Sequence, residues 1–123
     1  MQSIIQKRFY NSARIFWLDK ELLQQRIEEA TKKLILKYPS IKKIVLFGSV
    51  ADRRGIPSSD VDILIIVDDS KLRFFDRPLP FKEYFQDVDL EVDIFVYTCR
   101  EVREKDIPLV NSALKRGKVL FKR

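Results

Sequence analysis

Histidine is absent from the 123 residues, and cysteine occurs once, at Cys99. Together these absences exclude Cys/His zinc sites, structural disulfides, Ser-His-Asp triads and Cys-His dyads. Catalysis by this chain has to run on carboxylates, hydroxyls, amines or a metal held by oxygen. With only 3 Gly and 5 Pro there is little material for a low-complexity linker, and 46% hydrophobic residues suffice for one packed core. The expectation is a single domain over residues 1–123, with 1–17 readable as an N-terminal extension. No run approaches the ~18 apolar residues of a membrane span. The opening MQSIIQKRFYNSARIFW lacks the apolar core and small-residue cleavage site of a secretory signal. Its basic residues resemble an organellar presequence, but Ile15, Phe16, Trp17 and Leu18 read better as packing residues leading into the first helix, so the expected compartment is the cytoplasm with no membrane contact. An excess of 24 Lys+Arg over 18 Asp+Glu gives +6, which favours anionic partners without choosing among nucleotides, nucleic acid and acidic proteins.

What is present reads as alternating helix and strand. Leu23, Ile27, Ala30 and Leu34 fall on one stripe of a helix that Asp19 can cap and Pro39-Ser40 ends. IKKIVLF (41–47) is a β-branched run closed by Gly48-Ser49, and DVDILIIV (60–67) is a second strand that begins with two acids. Residues 68–86 are irregular and aromatic, and the cluster from Phe74 to Phe85 reads first as cover for the sheet. LEVDIFVYT (90–98) alternates, with Leu90, Val92, Ile94 and Val96 facing one way and Glu91, Asp93, Phe95 and Tyr97 the other. Thr98-Cys99-Arg100-Glu101 has capping-box spacing. Pro108 requires a break near Asp106 before a second helix to Arg116, Gly117 fits a C-cap, and KVLF (118–121) a short edge strand. The fold class is therefore α/β (α+β): a mixed sheet of about four or five strands with helices mainly on one face.

Three carboxylates stand in or beside these apolar strands, where an ionised acid is costly unless something neutralises it. Asp60 and Asp62, two apart, project from one strand face, and Asp93 comes from a strand that can lie next to them. A hard divalent cation is the simplest way to hold such acids together, and Mg²⁺ prefers oxygen ligands. Gly48 permits close backbone approach to a phosphate, and Ser49 can donate a hydrogen bond there or cap the segment that follows. Glu91 competes with Asp93 as a ligand. Lys42, Lys43, Arg53 and Arg54 read as surface charges, and Cys99 as structural.

Gly48-Ser49, ten residues, Asp60-Val61-Asp62, and a later Asp93 between apolar neighbours resemble the signature of the minimal nucleotidyltransferases, a small branch of the DNA-polymerase-β-like superfamily. One departure is Ala51-Asp52-Arg53, where relatives often carry a small-Arg-Gly run. The resemblance implies the nucleotidyltransferase fold and Mg²⁺-dependent transfer of a nucleoside monophosphate, AMP from ATP, onto an acceptor hydroxyl. It further implies that Asp60, Asp62 and Asp93 hold two Mg²⁺ ions, with Mn²⁺ as a substitute. Asp93 would also assist deprotonation of the acceptor, and Gly48 and Ser49 would hold the β- and γ-phosphates. Family members commonly pair with a small helical partner of the HEPN type, and some act as antitoxins by adenylylating a tyrosine on it. The rival expectation is a non-catalytic nucleotide- or partner-binding module of the same fold. Direct nucleic-acid binding ranks last, because no reader motif is visible and acids crowd the most distinctive surface.

Overall fold

The structure is a computed structural model that describes residues 5–10, 13–18, 20–48, 61–88 and 90–123, the first two of these stretches and Lys20 as backbone. In chain order the elements are β1 (Ile5–Tyr10), β2 (Ala13–Leu18), α1 (Lys20–Lys37), β3 (Ile41–Phe47) and β4 (Val61–Val67). There follow a 3₁₀ turn at Phe74–Asp76, α2 (Leu79–Lys82), a second 3₁₀ turn at Glu83–Phe85, β5 (Val92–Thr98), α3 (Cys99–Glu104), α4 (Pro108–Arg116) and β6 (Lys118–Lys122). The main sheet has the order β5-β4-β3-β6. It is mixed, because β4 and β5 run parallel while β3 is antiparallel to both β4 and β6.

The central strand β4 is almost wholly apolar because both of its faces are covered, as in buried parallel sheets. Ile63 and Ile65 face the cluster that contains Leu23, Ile27, Ala30 and Leu34 of α1, the stripe expected from helical spacing. Leu64 and Ile66 face a second cluster with Val45, and Val110 and Ala113 of α4. The helices therefore lie on both faces, with α1 the longest and α4 opposite it. Phe95 and Tyr97, grouped with the acids in the sequence reading, pack in that second cluster.

Residues 5–10 and 13–18 form a two-stranded antiparallel sheet of their own, in which Ile5 pairs with Leu18 and Tyr10 with Ala13. Ile15–Leu18, the residues expected to lead into the first helix, form most of β2. Asp19, the expected cap of α1, lies outside the described residues.

A long-range ion pair that the sequence did not reveal helps to pin the segment after β4. Arg77 donates from Nη1 to Glu101 Oε1 at 2.6 Å and to the Val96 carbonyl at 3.3 Å, joining the aromatic turns to β5 and α3. Glu101 completes the capping box, accepting from the Thr98 N–H at 2.8 Å while its own N–H donates to Thr98 Oγ1 at 3.1 Å. Burial works against ionisation of Glu101, but the Thr98 N–H and the Arg77 guanidinium outweigh it and hold the carboxyl below its ordinary value. A depressed carboxylate contributes stability that is present above the unfolded-state value and is lost as pH falls through the folded one. Glu101→Gln should therefore lower unfolding free energy by about 1–3 kcal/mol at neutral pH. Below the carboxylate range its melting temperature should converge on that of the parent chain, a comparison read by thermal melts across pH. Burial, with Glu101 adding and Arg77 opposing, pushes the nearby Tyr97 phenol up.

Pro108 opens α4 as its first residue, so the missing N–H falls where no helical bond is needed. Gly117 ends it at φ −79°, an ordinary conformation. Glycine is required there by proximity: a Cβ would stand 2.5 Å from the Ala113 carbonyl oxygen and 2.6 Å from Val45 Cγ1.

Candidate functional site

The site lies where β3 ends and β4 and β5 begin. Antiparallel register places Phe47 opposite Asp62, and parallel register places Asp62 opposite Asp93, so three residues form one row across the sheet. Cα partners on neighbouring strands are about 4.8 Å apart and direct their side chains to the same face. Asp62 and Asp93 are both partly buried, and Phe47 and Phe95 pack beside them with ring centroids 5.9 Å apart.

Gly48 closes this arrangement on the β3 side. Its φ of +85° is a backbone conformation that side chains disfavour. A Cβ there would stand 3.2 Å from Asp62 Cγ and closer still to Oδ2, so glycine leaves the room in which the Asp62 carboxylate sits.

Like charges on directly opposed strand positions repel. Two half-buried carboxylates in register, with oxygen donors only, suit a hard cation such as Mg²⁺, which binds through one or two protein carboxylates and keeps waters or phosphates in its shell. Among the described residues no group of three acidic, His or Cys side chains is assembled for a metal. Asp60 and Ser49, the other members of the sequence motif, lie outside the described residues, as do Arg53 and Arg54.

Other candidates fall elsewhere. Lys42 pairs with Asp68 at 3.5 Å, and it and Lys43 stand at the beginning of β3, opposite the end that carries Gly48. Cys99 packs at the start of α3 against the second core cluster. Phe81 and Phe85 are buried in the first cluster as expected of cover, whereas Phe75 is 86% exposed. Glu91 lends its backbone carbonyl to the Val61 N–H at 2.8 Å, and its side chain is exposed. Beside Asp93 there is also a groove of about 300 Å³, lined by Leu90–Ile94 on one side and by Lys82, Phe85, Gln86 and Val88 on the other. Sequence reasoning missed Lys82 and Gln86 because tertiary packing alone brings the α2 turn against β5.

The family model described as Polymerase beta, Nucleotidyltransferase matches residues 29–123. A toxin–antitoxin crystal structure with AMP-PNP superposes with a TM-score of 0.61 at 25% identity, covering 78% of this chain and 73% of that one. A Sulfolobus solfataricus protein, provisionally described as a nucleotidyltransferase, gives a TM-score of 0.62 at 20% identity over 85% of this chain and 84% of its own. The MntA–HepT toxin–antitoxin structure gives 0.54 at 22% identity, covering 84% and 73%. The last two, at these identities, speak for the fold alone. No curated protein sequence matches the chain.

Proposed function

Because the chain belongs to the Polymerase beta nucleotidyltransferase family, we propose that it transfers AMP from ATP to an acceptor hydroxyl with the help of Mg²⁺. The observation that carries this reading is the in-register pair Asp62 and Asp93, with Gly48 at φ +85° against Asp62. In this reading Asp62 and Asp93, joined on the motif by Asp60, hold the metal. Gly48 and Ser49 receive the β- and γ-phosphates. The bound cations would neutralise phosphate charge and favour in-line displacement. The acceptor oxygen forms a bond to the α-phosphorus as the bond from that phosphorus to the β-phosphate bridge oxygen breaks, and pyrophosphate leaves. Asp93, at the edge of the row, takes up the acceptor's proton.

The AMP-PNP-containing toxin–antitoxin relative supports an adenine nucleotide and a partner chain. We extend that to a small helical partner of the HEPN type that offers a tyrosine, with this chain as the antitoxin.

The test is label transfer from ATP carrying the label at either the α- or the γ-phosphate, with Mg²⁺ and host lysate. Macromolecular label should arise from α-labelled ATP alone and disappear with excess EDTA. Absence of transfer by protein that still binds Mg·ATP would make the chain a binding module instead.

A further inference from the structure

We infer that the open edge of β5 is the docking site for an extended polypeptide segment, which joins the sheet as a further strand and presents its hydroxyl beside Asp93. The inference rests on the nucleotidyl-transfer reading for its chemistry, and on the sheet alone for its docking.

Among the described residues β5 is an edge strand of the main sheet. In a parallel ladder alternate residues turn both backbone groups toward the neighbouring strand. The Val61 N–H donates to the Glu91 carbonyl at 2.8 Å, so Glu91 and, two residues on, Asp93 face β4. Val92, Ile94 and Val96 then turn their N–H and C=O groups to the open side. Arg77 takes the Val96 carbonyl at 3.3 Å and closes that end. The groups of Val92 and Ile94 open into the groove of about 300 Å³ described above. Consecutive residues Leu90 to Ile94 line it. Side chains of successive strand residues point to opposite faces, so a groove touched by all of them runs along the backbone edge.

The other edge of the sheet, β6, is guarded at its two ends by exposed Lys118 and Lys122, as edges that must not pair commonly are. The β5 edge is recessed beneath the α2 turn instead. Its rim carries Glu91 and Asp93 on the strand and Lys82 across the groove. Backbone pairing supplies affinity in such strand addition, and alternate side chains supply selectivity.

Register then defines the occupant. A residue laid opposite Asp93 stands about 4.8 Å away and directs its side chain to the face that Asp93 shares with Asp62. A Tyr, Ser or Thr hydroxyl there lies at the candidate site. The adjoining residues point to the other face, toward Phe85, Val88 and Val92, and should be apolar. The residue two positions away meets the exposed Glu91 and should be basic. In the transfer step the hydroxyl oxygen bonds to the α-phosphorus of the nucleoside triphosphate, its proton passes to Asp93, and pyrophosphate departs.

The probe is the synthetic peptide acetyl-Thr-Lys-Val-Tyr-Val-Lys-Thr-amide, whose symmetry places a lysine opposite Glu91 in either strand direction. Added to the full chain, it should slow amide exchange at Val92 and Ile94 at least ~10-fold, as amides drawn into a ladder do. With Mg²⁺ and α-labelled ATP the tyrosine should acquire label. N-methylation of the Val, Tyr and Val amides should abolish both effects. Labelling without protection, or equally with the N-methylated peptide, overturns edge docking while leaving nucleotidyl transfer intact. Protection without labelling upholds docking and counts against the transfer reading. No protection at the peptide's solubility limit, or lysate label found only in ribonuclease-sensitive material, overturns the inference.

Discussion

Asp62→Asn should reduce label transfer at least ~100-fold, the scale seen when a charge-stabilising group at a reaction centre is removed, while the chain stays folded. Asparagine keeps the shape of the side chain and removes the charge that would hold a cation. Relief of repulsion with Asp93 acts against any loss of stability in the metal-free protein. Asp62 stands opposite Asp93 in the β4–β5 ladder, and neutralising one of two opposed carboxylates relieves repulsion. Asp93→Asn should behave alike in stability and also lose the proton acceptor. Thermal melts with and without Mg²⁺ complete the test: added Mg²⁺ should raise the melting temperature of the parent chain and leave that of Asp62→Asn nearly unchanged. If Asp62→Asn retained full transfer, the metal role assigned to this row would fall. If it lost transfer together with several degrees of melting temperature in the absence of metal, Asp62 would be holding the fold instead.

How far these residues could be read without coordinates varies with the kind of physics that places them. Strands β3, β4 and β5 follow from short β-branched runs bounded by Gly48, by acids and by Thr98, signals local to each segment. The capping box at Thr98 and Glu101 and the break before Pro108 are local too, and both are found where the residue types put them. Adjacency of Asp62 and Asp93 is another matter. It depends on β5 running parallel to β4 in one register, which packing over the whole sheet selects. The two-sided cover of the sheet could have been seen in Phe95 and Tyr97, since aromatic residues alternating with buried aliphatics leave no polar face beyond Asp93. The hairpin of β1 and β2 was masked by Lys7, Arg8 and Arg14, which interrupt the apolar alternation. Its available signal was Asn11-Ser12 between two runs rich in aromatic and β-branched residues. Arg77, 24 residues from Glu101, had no local signal at all.

Gly48→Val should depress transfer by a further distinct route, and comparison with the other constrained glycine isolates it. At φ +85° an L side chain costs about 1–2 kcal/mol. The Cβ also enters the space of the Asp62 carboxylate, 3.2 Å from Cγ and nearer to Oδ2. The carboxylate has to move, and a displacement of about 1 Å in a positioning group can cost on the order of 100-fold in rate. Gly117→Ala meets obstacles of similar severity, the Ala113 and Leu46 carbonyl oxygens and Val45 Cγ1 at 2.5–2.8 Å, but none of these atoms belongs to an acid of the site. Both variants should melt at lower temperature than the parent chain. Only Gly48→Val should lose about two orders of magnitude of transfer per folded molecule, with Gly117→Ala within a few-fold of the parent. Equal losses in the two would show that general loosening of β3 governs activity. A Gly48→Val chain that melts low yet transfers normally would show that the Asp62 carboxylate can be shifted without consequence, and would remove Gly48 from the site.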